Sequence, residues 1–289
     1  MGGYRKLHKG LQPHLNCKDH LVSGESYEVM INEVYQMLVT SPVPLDLEEY
    51  YKDDDYISHT DSKKKLLDRL YYLVRKYTLK RKVSLLNSFQ TEEKKVLDIG
   101  AGTGEFLAEC KKSNWRIFGV EPNFNARAIA AEKDIYLEED IAKFEGEKFD
   151  VITLWHVLEH IPNLPEFLEK IEMLLKKDGR LVIAVPNYKS YDANYFGESW
   201  AAYDVPRHLW HFSQSSIYKL FFRYELEVEQ TLPMKFDAYY VSMLSEKYRT
   251  GKTNLLKAFW IGLKSNLKAR KTTEYSSLIY VLKNHETLF

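Results

Sequence analysis

The chain has only two cysteines in 289 residues, Cys17 and Cys110, too few and too far apart for a disulfide framework. It has no excess charge of either sign: Lys plus Arg and Asp plus Glu stand at 41 each, so no global field draws it to a polyanion such as nucleic acid. No apolar run reaches the roughly 18 residues of a bilayer span, and no basic start precedes an apolar block, so the expectation is a cytoplasmic protein without a membrane span. Two nucleotide signatures are missing as well. The dinucleotide pattern Gly-x-Gly-x-x-Gly, started at Gly100 and Gly102, meets Glu105 at its third glycine. The phosphate-binding loop fails at Gly251-Lys252-Thr253, where Glu246 stands in place of the first glycine.

What is present is a 45% apolar composition, enough for one main domain with attachments. Residues 1–60 read as a polar, irregular N-terminal extension. His8, His14, Cys17 and His20 lie close together there, but no second ligand pair follows, so no metal site is expected. Asp46–Asp55 is acidic and tyrosine-rich and reads as a solvated loop or short helix, with Tyr50, Tyr51 and Tyr56 able to face a ligand. Residues 61–92 read as a basic connector helix whose stripe of Leu66, Leu70, Leu73, Val74 and Tyr77 docks on the next domain.

From residue 93 the chain alternates strand and helix signals to its end. Val96-Leu97-Asp98-Ile99 is an apolar strand, Gly100-Ala101-Gly102-Thr103-Gly104 a tight turn, and Phe106, Leu107 and Cys110 open a helix. Such a helix start aims its unpaired N–H groups at a ligand, and a cofactor with an anionic part is the first expectation. Further strands are expected at Arg116–Val120, Asp134–Leu137, Phe149–Trp155, Arg180–Val185, Glu225–Leu232 and Ser277–Lys283. The order β-α-β implies a parallel sheet covered by helices. Residues 187–213 interrupt it with an aromatic loop, and residues 233–272 with a helical insertion. In that insertion Leu256, Phe259, Trp260, Leu263 and Leu267 form one face, expected to lie over the sheet edge or the active-site mouth.

Asp98, the three alternate glycines, Glu121 one β-α-β repeat later and Asp140 near the third strand's end together resemble class I S-adenosylmethionine-dependent methyltransferases. The resemblance implies a Rossmann-like α/β sheet of seven strands, mostly parallel with the last antiparallel, with helices on both faces and a methyltransferase domain over 93–289. It implies that Gly100–Gly104, with Ala101 and Thr103, seats the methionine part of the cofactor. Glu121, followed by Pro122, holds the ribose hydroxyls, and Asp140 with Ile141 receives the adenine. A zwitterion, a diol and an amine suit backbone N–H groups and carboxylates, with no phosphate to neutralise. Trp155-His156-Val-Leu-Glu-His160-Ile-Pro162 further resembles the ubiquinone-biosynthesis O-methyltransferase group, with Trp155 and His156 bordering the cofactor. The Asp/Asn-Pro-Pro-Tyr of base-modifying amino-methyltransferases is not there. Asp204–Ser213 resembles a bacterial subset that begins with a zinc-ribbon-like segment; here Asn32 and Tyr35 stand where a cysteine pair is expected, so that zinc site is read as lost.

Methyl transfer is an in-line displacement at an activated carbon, so the enzyme aligns two substrates and, for a hydroxyl acceptor, removes a proton. Three histidines are candidates for that base: His160, His208 and His211. Arg207 and Tyr203 are candidate substrate contacts. The acceptor expected is a small-molecule or glycan-linked hydroxyl. The alternatives are an amino sugar, or a module that binds the cofactor without catalysis.

Overall fold

The computed structural model describes residues 7–51 and 64–285, with only the backbone over residues 64–71, and it divides into two compact units. Tyr56, Leu66 and Leu70 of the sequence reading therefore lie outside the described residues or side chains.

One unit comprises the described residues of Asp54–Trp155 and Lys170–Val182. Its centre is strand β4 (Lys95–Ile99), all five residues of which are buried. This is the pattern of a strand covered on both faces. β4 pairs in parallel with β5 (Arg116–Val120) on one side and with β6 (Phe149–Trp155) on the other. β7 (Leu175–Pro186) follows β6 in the strand order and crosses the boundary of the unit after Val182. The helix α1 (Lys64–Asn87) enters the unit, and α2 (Glu105–Lys112) and α3 (Phe124–Ala131) follow β4 and β5.

Three expectations change here. The strand expected at Asp134–Leu137 is reduced to one parallel bridge, Val120 to Glu138, so among the described residues the large sheet has six strands rather than seven. The cause is local: Asp134 takes a left-handed φ of 57°, and the Ile135 N–H donates to Ala130 O at the end of α3. The stripe on α1 also faces the other way in its described part, since Leu73 and Tyr77 are exposed while Val83 and Leu86 are buried. Finally, the strand expected at Arg180–Val185 begins earlier, since α4 (Leu164–Leu174) runs directly into β7 at Leu175.

The other unit comprises the described residues of Met1–Asp53, His156–Glu169 and Ile183–Phe289. Here the end of β7 neighbours β10 (Ser277–Asn284), which pairs antiparallel with β9 (Leu226–Pro233). The same unit holds a second sheet where an irregular extension was expected. β1 (Gln12–Lys18), β2 (Ser26–Asn32) and β3 (Met37–Ser41) form an antiparallel meander, completed by the two-residue β8 (Trp210–His211) on β3. Tyr27 and Val29 of β2 alternate into a buried cluster with Leu38, Phe196, Trp200 and Tyr203, which supplies the core a polar tail would lack. In the loop, α5 (Tyr191–Phe196) is followed by α6 (Gln214–Phe222), whose N-terminus carries the reciprocal Ser213–Ser216 capping box.

The insertion forms α7 (Asp237–Thr250) and α8 (Leu255–Thr272). α8 buries Ala258, Ile261, Gly262, Ser265 and Ala269, not the face of Leu256, Phe259, Trp260, Leu263 and Leu267 expected to pack. A Cβ on Gly262 would stand 2.9 Å from Ala238 O and 2.9 Å from the Tyr239 Cα, so the small stripe is what lets α7 and α8 approach.

Asp192 of α5 fastens this unit internally. Fully buried, it accepts hydrogen bonds from Trp200 Nε1 (2.8 Å), Ser265 Oγ (2.6 Å) and Ser276 Oγ (2.6 Å). Asp192→Ala leaves three buried donors without an acceptor and is expected to cost about 3–5 kcal/mol. Calorimetric or denaturant unfolding of the variant checks this, and a loss below about 1 kcal/mol overturns the assignment.

Candidate functional site

The turn after β4 is built by its hydrogen bonds. Gly100 and Ala101 both donate to Val120 O, at 2.8 and 3.0 Å, and Gly104 donates to Ala101 O at 3.0 Å. Gly102 and Gly104 have φ of 54° and 73°, where a side chain is strained. Their surroundings differ. A Cβ on Gly104 would press Ile135 and Ala130 at 3.0–3.1 Å, so this glycine serves packing, whereas beyond Gly102 there is open space. The Thr103 carbonyl accepts from Lys133 Nζ at 2.8 Å.

Glu121, at the end of β5, accepts from the Gly102 N–H at 2.8 Å and, through its other oxygen, from the Asn123 N–H at 2.9 Å. Two backbone donors thus fix the carboxylate beside the turn while each oxygen keeps a lone pair. After Pro122, Asp140 caps the short helix Ile141–Phe144 by accepting from the Ala142 N–H at 2.7 Å, and it stays exposed beside the buried Ile141. Trp155 ends β6 with its ring edge-on to Phe106 and with Lys82 Nζ 4.1 Å from the ring centre. Its indole Nε1–H is buried without a partner among the described residues. That orphaned donor, the open space at Gly102 and the lone pairs left on Glu121 and Asp140 suit a polar ligand such as S-adenosylmethionine, whose diol and amine need acceptors.

Asp98 does not reach outward. It is 2% exposed and accepts from Thr153 Oγ1 at 2.6 Å. Burial pushes its carboxyl up to about 7, against the opposing pull of the Thr153 hydrogen bond and the Lys82 charge. It supports the turn from below.

In the other unit, the chain leaves β6 through His156, which takes a left-handed φ of 59°, and the short helix Leu158–His160. The His156 ring lies between Glu159 Oε1 and Asp237 Oδ2, each at 3.3 Å. Burial alone would lower its pKa, but the two carboxylates raise it to about 9. His156, expected beside the cofactor, therefore has its two ring nitrogens on these carboxylates. Burial would raise Glu159, yet the His156 hydrogen bond and the surrounding imidazoles hold it at about 2.

The histidine tautomers follow from their partners. His160 Nδ1 lies 3.1 Å from Arg207 O and 3.0 Å from the Tyr51 hydroxyl, and His208 Nδ1 lies 2.9 Å from Ala202 O. A carbonyl can only accept, so Nδ1 carries the proton in both rings and Nε2 presents a lone pair. Burial and the neighbouring His208 push His160 down to about 4. The two rings meet edge-to-face at 4.6 Å. Glu159 Oε2 is buried without a hydrogen-bond partner among the described residues. One ligand atom each from Glu159, His160 and His208 lie within 4.8 Å of one another, a set that can hold a divalent cation where no metal site was expected.

His211 is set apart. Thr40 gives its hydroxyl proton to His208 O (2.6 Å), so His211 Nε2–H donates to Thr40 Oγ1 (3.0 Å), and burial drives its pKa well below the usual value. It joins β8 to β3. The expected substrate contacts are corrected likewise. Arg207 is buried, with Nε and Nη2 on Asp204 at 2.7–3.1 Å and Nη2 also on Asp19 at 3.1 Å, so its charge is already matched. Tyr203 is buried with its ring edge-on to Trp200 and His211, and it lines a small cavity with Cys17, His20 and Tyr248. Asp19 and Asp237 gave no signal in the sequence, because their partners are distant in the chain; Tyr51 was singled out only as an aromatic.

A family model described as a methyltransferase domain matches residues 71–231, more than half of the chain. The ubiquinone biosynthesis O-methyltransferase of Actinobacillus pleuropneumoniae serotype 7 (strain AP76) is 31% identical over 130 residues, which cover 39% of this chain and 56% of that protein. That of Rhodopseudomonas palustris (strain BisB5) is 27% identical over 128 residues, covering 40% and 51%. The chain thus spans about half the length of the curated relatives it matches. In fold, it is similar to geranyl diphosphate C-methyltransferase from Streptomyces coelicolor A3(2), with a TM-score of 0.54, 13% identity and 83% and 89% of the two chains covered. A putative sarcosine dimethylglycine methyltransferase from Galdieria sulphuraria follows at 0.51, with 14% identity and 75% and 88% covered.

The protonation of Asp98 gives a test that needs no ligand. A carboxyl whose folded pKa lies above its unfolded value costs the fold nothing below the unfolded value, near pH 4, and costs progressively more as the pH rises through about 7. Asp98→Asn mimics the neutral acid. Its unfolding free energy is expected to match that of the parent at about pH 3.5 and to exceed it by a few kcal/mol at about pH 8. A difference that does not change with pH overturns the reading.

Proposed function

The chain belongs to the methyltransferase-domain family, and on that premise we propose that it binds S-adenosylmethionine and transfers its methyl group to a hydroxyl oxygen of a small-molecule or glycan-linked acceptor. The observation that carries this reading is the turn itself. Gly102 leaves open space, and Glu121 is fixed on the Gly102 N–H with lone pairs to spare. The cofactor supplies a methyl group already activated on a sulfonium. The chain's own residues hold and orient. Gly100–Gly104 offers backbone to the methionine part, Glu121 accepts from the ribose hydroxyls, Asp140 and Ile141 receive the adenine, and the Trp155 N–H gains an acceptor.

For the acceptor's proton we assign His160 and His208, whose Nε2 lone pairs are fixed by carbonyls on the opposite nitrogen. The Glu159 carboxylate beside them stabilises the imidazolium that results. His211 is left out, because its Nε2 proton is committed to Thr40. One observation favours a second reading of the same cluster. With the orphaned Glu159 Oε2, a divalent cation there would bind the hydroxyl and lower its pKa. The ubiquinone-biosynthesis relatives make a phenolic hydroxyl the first acceptor to try; an amino sugar is the comparison.

Calorimetric titration with S-adenosylmethionine, its demethylated product and NAD is expected to show binding of the first two and none of the third. Glu121→Ala is expected to weaken the cofactor by about 10- to 100-fold, the loss of charged hydrogen bonds. Absence of binding by the first two ligands overturns the proposal. With catechol as acceptor, His160→Ala and His208→Ala are expected to slow single turnover by about 100-fold. A rate abolished by chelation and restored by added divalent cation selects the metal reading; unchanged rates in both variants remove the histidines from the reaction.

A further inference from the structure

The large apolar residues of α8 are turned outward. Leu256 is 77% exposed, Trp260 63%, Phe259 52%, Leu255 49% and Leu267 48%, although an amphipathic helix usually buries such residues. The helix is held by its opposite side, where Ala258, Gly262, Ser265 and Ala269 pack. At 100° per residue, these five residues fall in one continuous arc, with Lys257, Lys264, Lys268 and Lys271 along its flank and Arg270 within it. α8 is thus amphipathic twice over, and on its second apolar face Phe259 stacks on the Tyr239 ring at 5.4 Å while Leu255, Leu256, Trp260 and Leu267 stay about half or more exposed.

The charge around that face has a single sign. From Lys247 to Thr273 the sequence holds eight Lys and Arg and no Asp or Glu. Two acids bound this stretch: Glu246 is buried and spent on Arg249 and Lys257, and the half-buried Glu274 accepts from Asn187 Nδ2 at 2.7 Å. Lys252, Lys264, Lys268, Arg270 and Lys271 are exposed, with Lys264 and Lys268 also over the Tyr191 ring. In a chain of zero net charge this segregation is local, not compositional.

We propose that the outward face of α8 docks on an anionic phospholipid surface, lying in the interface with Leu256, Phe259 and Trp260 among the acyl chains and the lysine flank on the headgroups. A single-sign basic flank beside an arc of Leu, Phe and Trp is the pattern of an interfacial helix. No helix among the described residues is long and apolar enough to cross a membrane, so the contact is peripheral. A second copy of the chain fits less well, since pairing two such faces sets cation against cation. A nucleic acid fits less well because the centre of the face is apolar rather than basic. The inference stands apart from the proposed methyl transfer.

The test is flotation of the full chain with vesicles of phosphatidylcholine alone or with about one-third phosphatidylglycerol. Binding to the anionic vesicles is expected to exceed that to the neutral ones by about tenfold or more, and to fall severalfold between about 0.1 M and 0.5 M salt. Leu256→Ser with Trp260→Ser, and separately Lys264→Glu with Lys271→Glu, are each expected to lower it about tenfold while leaving the thermal transition unchanged. The parent's tryptophan emission should be quenched by brominated lipid, and that quenching should drop in Trp260→Phe, which keeps the apolar face. Equal binding to neutral and anionic vesicles, no loss in either pair of variants, or a dimer in sedimentation that Leu256→Ser with Trp260→Ser dissolves, overturns the proposal.

Discussion

Glu159 is a carboxylate that stays ionised while 1% exposed, and much of the histidine loop is organised by that condition. A bare charge at such a depth would cost several kcal/mol, so it needs a counter-charge held at close range. His156 supplies it, and because an imidazolium at that position is itself desolvated, Asp237 stands on its other nitrogen. The arrangement requires His156 to turn back over Glu159, which its left-handed backbone achieves at a cost that an Asn or Gly would not carry. The Glu159 carbonyl accepts from the Leu209 N–H at 2.8 Å, so the segment bearing His208 is tied to the same residue. What remains of the carboxylate is Oε2, beside two imidazoles whose protons are fixed elsewhere. A preorganised acceptor set of this kind can take a proton or a cation without rearranging.

The second sheet has a related function. Asp19 follows β1 directly, and its oxygens are occupied by the N–H groups of Leu21 and Ser23 before Arg207 approaches. Those bonds hold it ionised, below its ordinary range, in spite of burial. Arg207 then spans Asp19 and Asp204, and its carbonyl fixes the His160 tautomer. Thr40 on β3 repeats the pattern, taking the Leu209 carbonyl with its N–H and the His208 carbonyl with its hydroxyl. The N-terminal segment thus holds the loop at Arg207, His208 and Leu209, beside the Arg207 carbonyl that fixes His160, while the Ala202 carbonyl that fixes His208 lies within the loop itself. In physical terms the N-terminal segment is part of the site's scaffold, not a tail.

The parts of the molecule that were legible in the sequence are those whose cause is local. β4, its turn and α2 could be read because a buried run, positive-φ glycines and a helical stripe lie within a dozen residues. Glu121 stands at the end of β5 as expected, whereas Asp140, expected at the end of a third strand, caps the short helix Ile141–Phe144 instead. The strand expected at Asp134–Leu137 alternates correctly, but Ile135 is claimed by the end of α3 and by packing under Gly104, and a sequence pattern does not show which claim prevails. β2 did carry a signal, Tyr27, Val29 and Ile31 on one face, which was read as irregular because the side chains it packs with, Phe196, Trp200 and Tyr203, lie far along the chain. The roles of Arg207 and His156 were hidden for the same reason, since Asp19 and Asp237 become their partners only through the tertiary fold. A charge in a loop looks available until the distant acid that neutralises it is in place.

α8 makes the same point from the opposite direction. Periodicity identified its apolar face correctly and then assigned that face to the interior, because burying large side chains usually dominates. The structure shows a competing solution. Gly262 admits the α7 backbone at a distance no side chain would permit, and the Ala and Ser positions around it extend the contact. Close approach of two helices on small residues, with Ile261 in the core and Phe259 stacked on Tyr239, holds α8 while Leu256 and Trp260 stay largely exposed. Large apolar side chains left in water, with cations along the flank and no acid among them, are costly to keep unless a surface elsewhere takes them up. The stripe of small residues is therefore the physical reason to look outward from α8, and the sign of its charges says toward what.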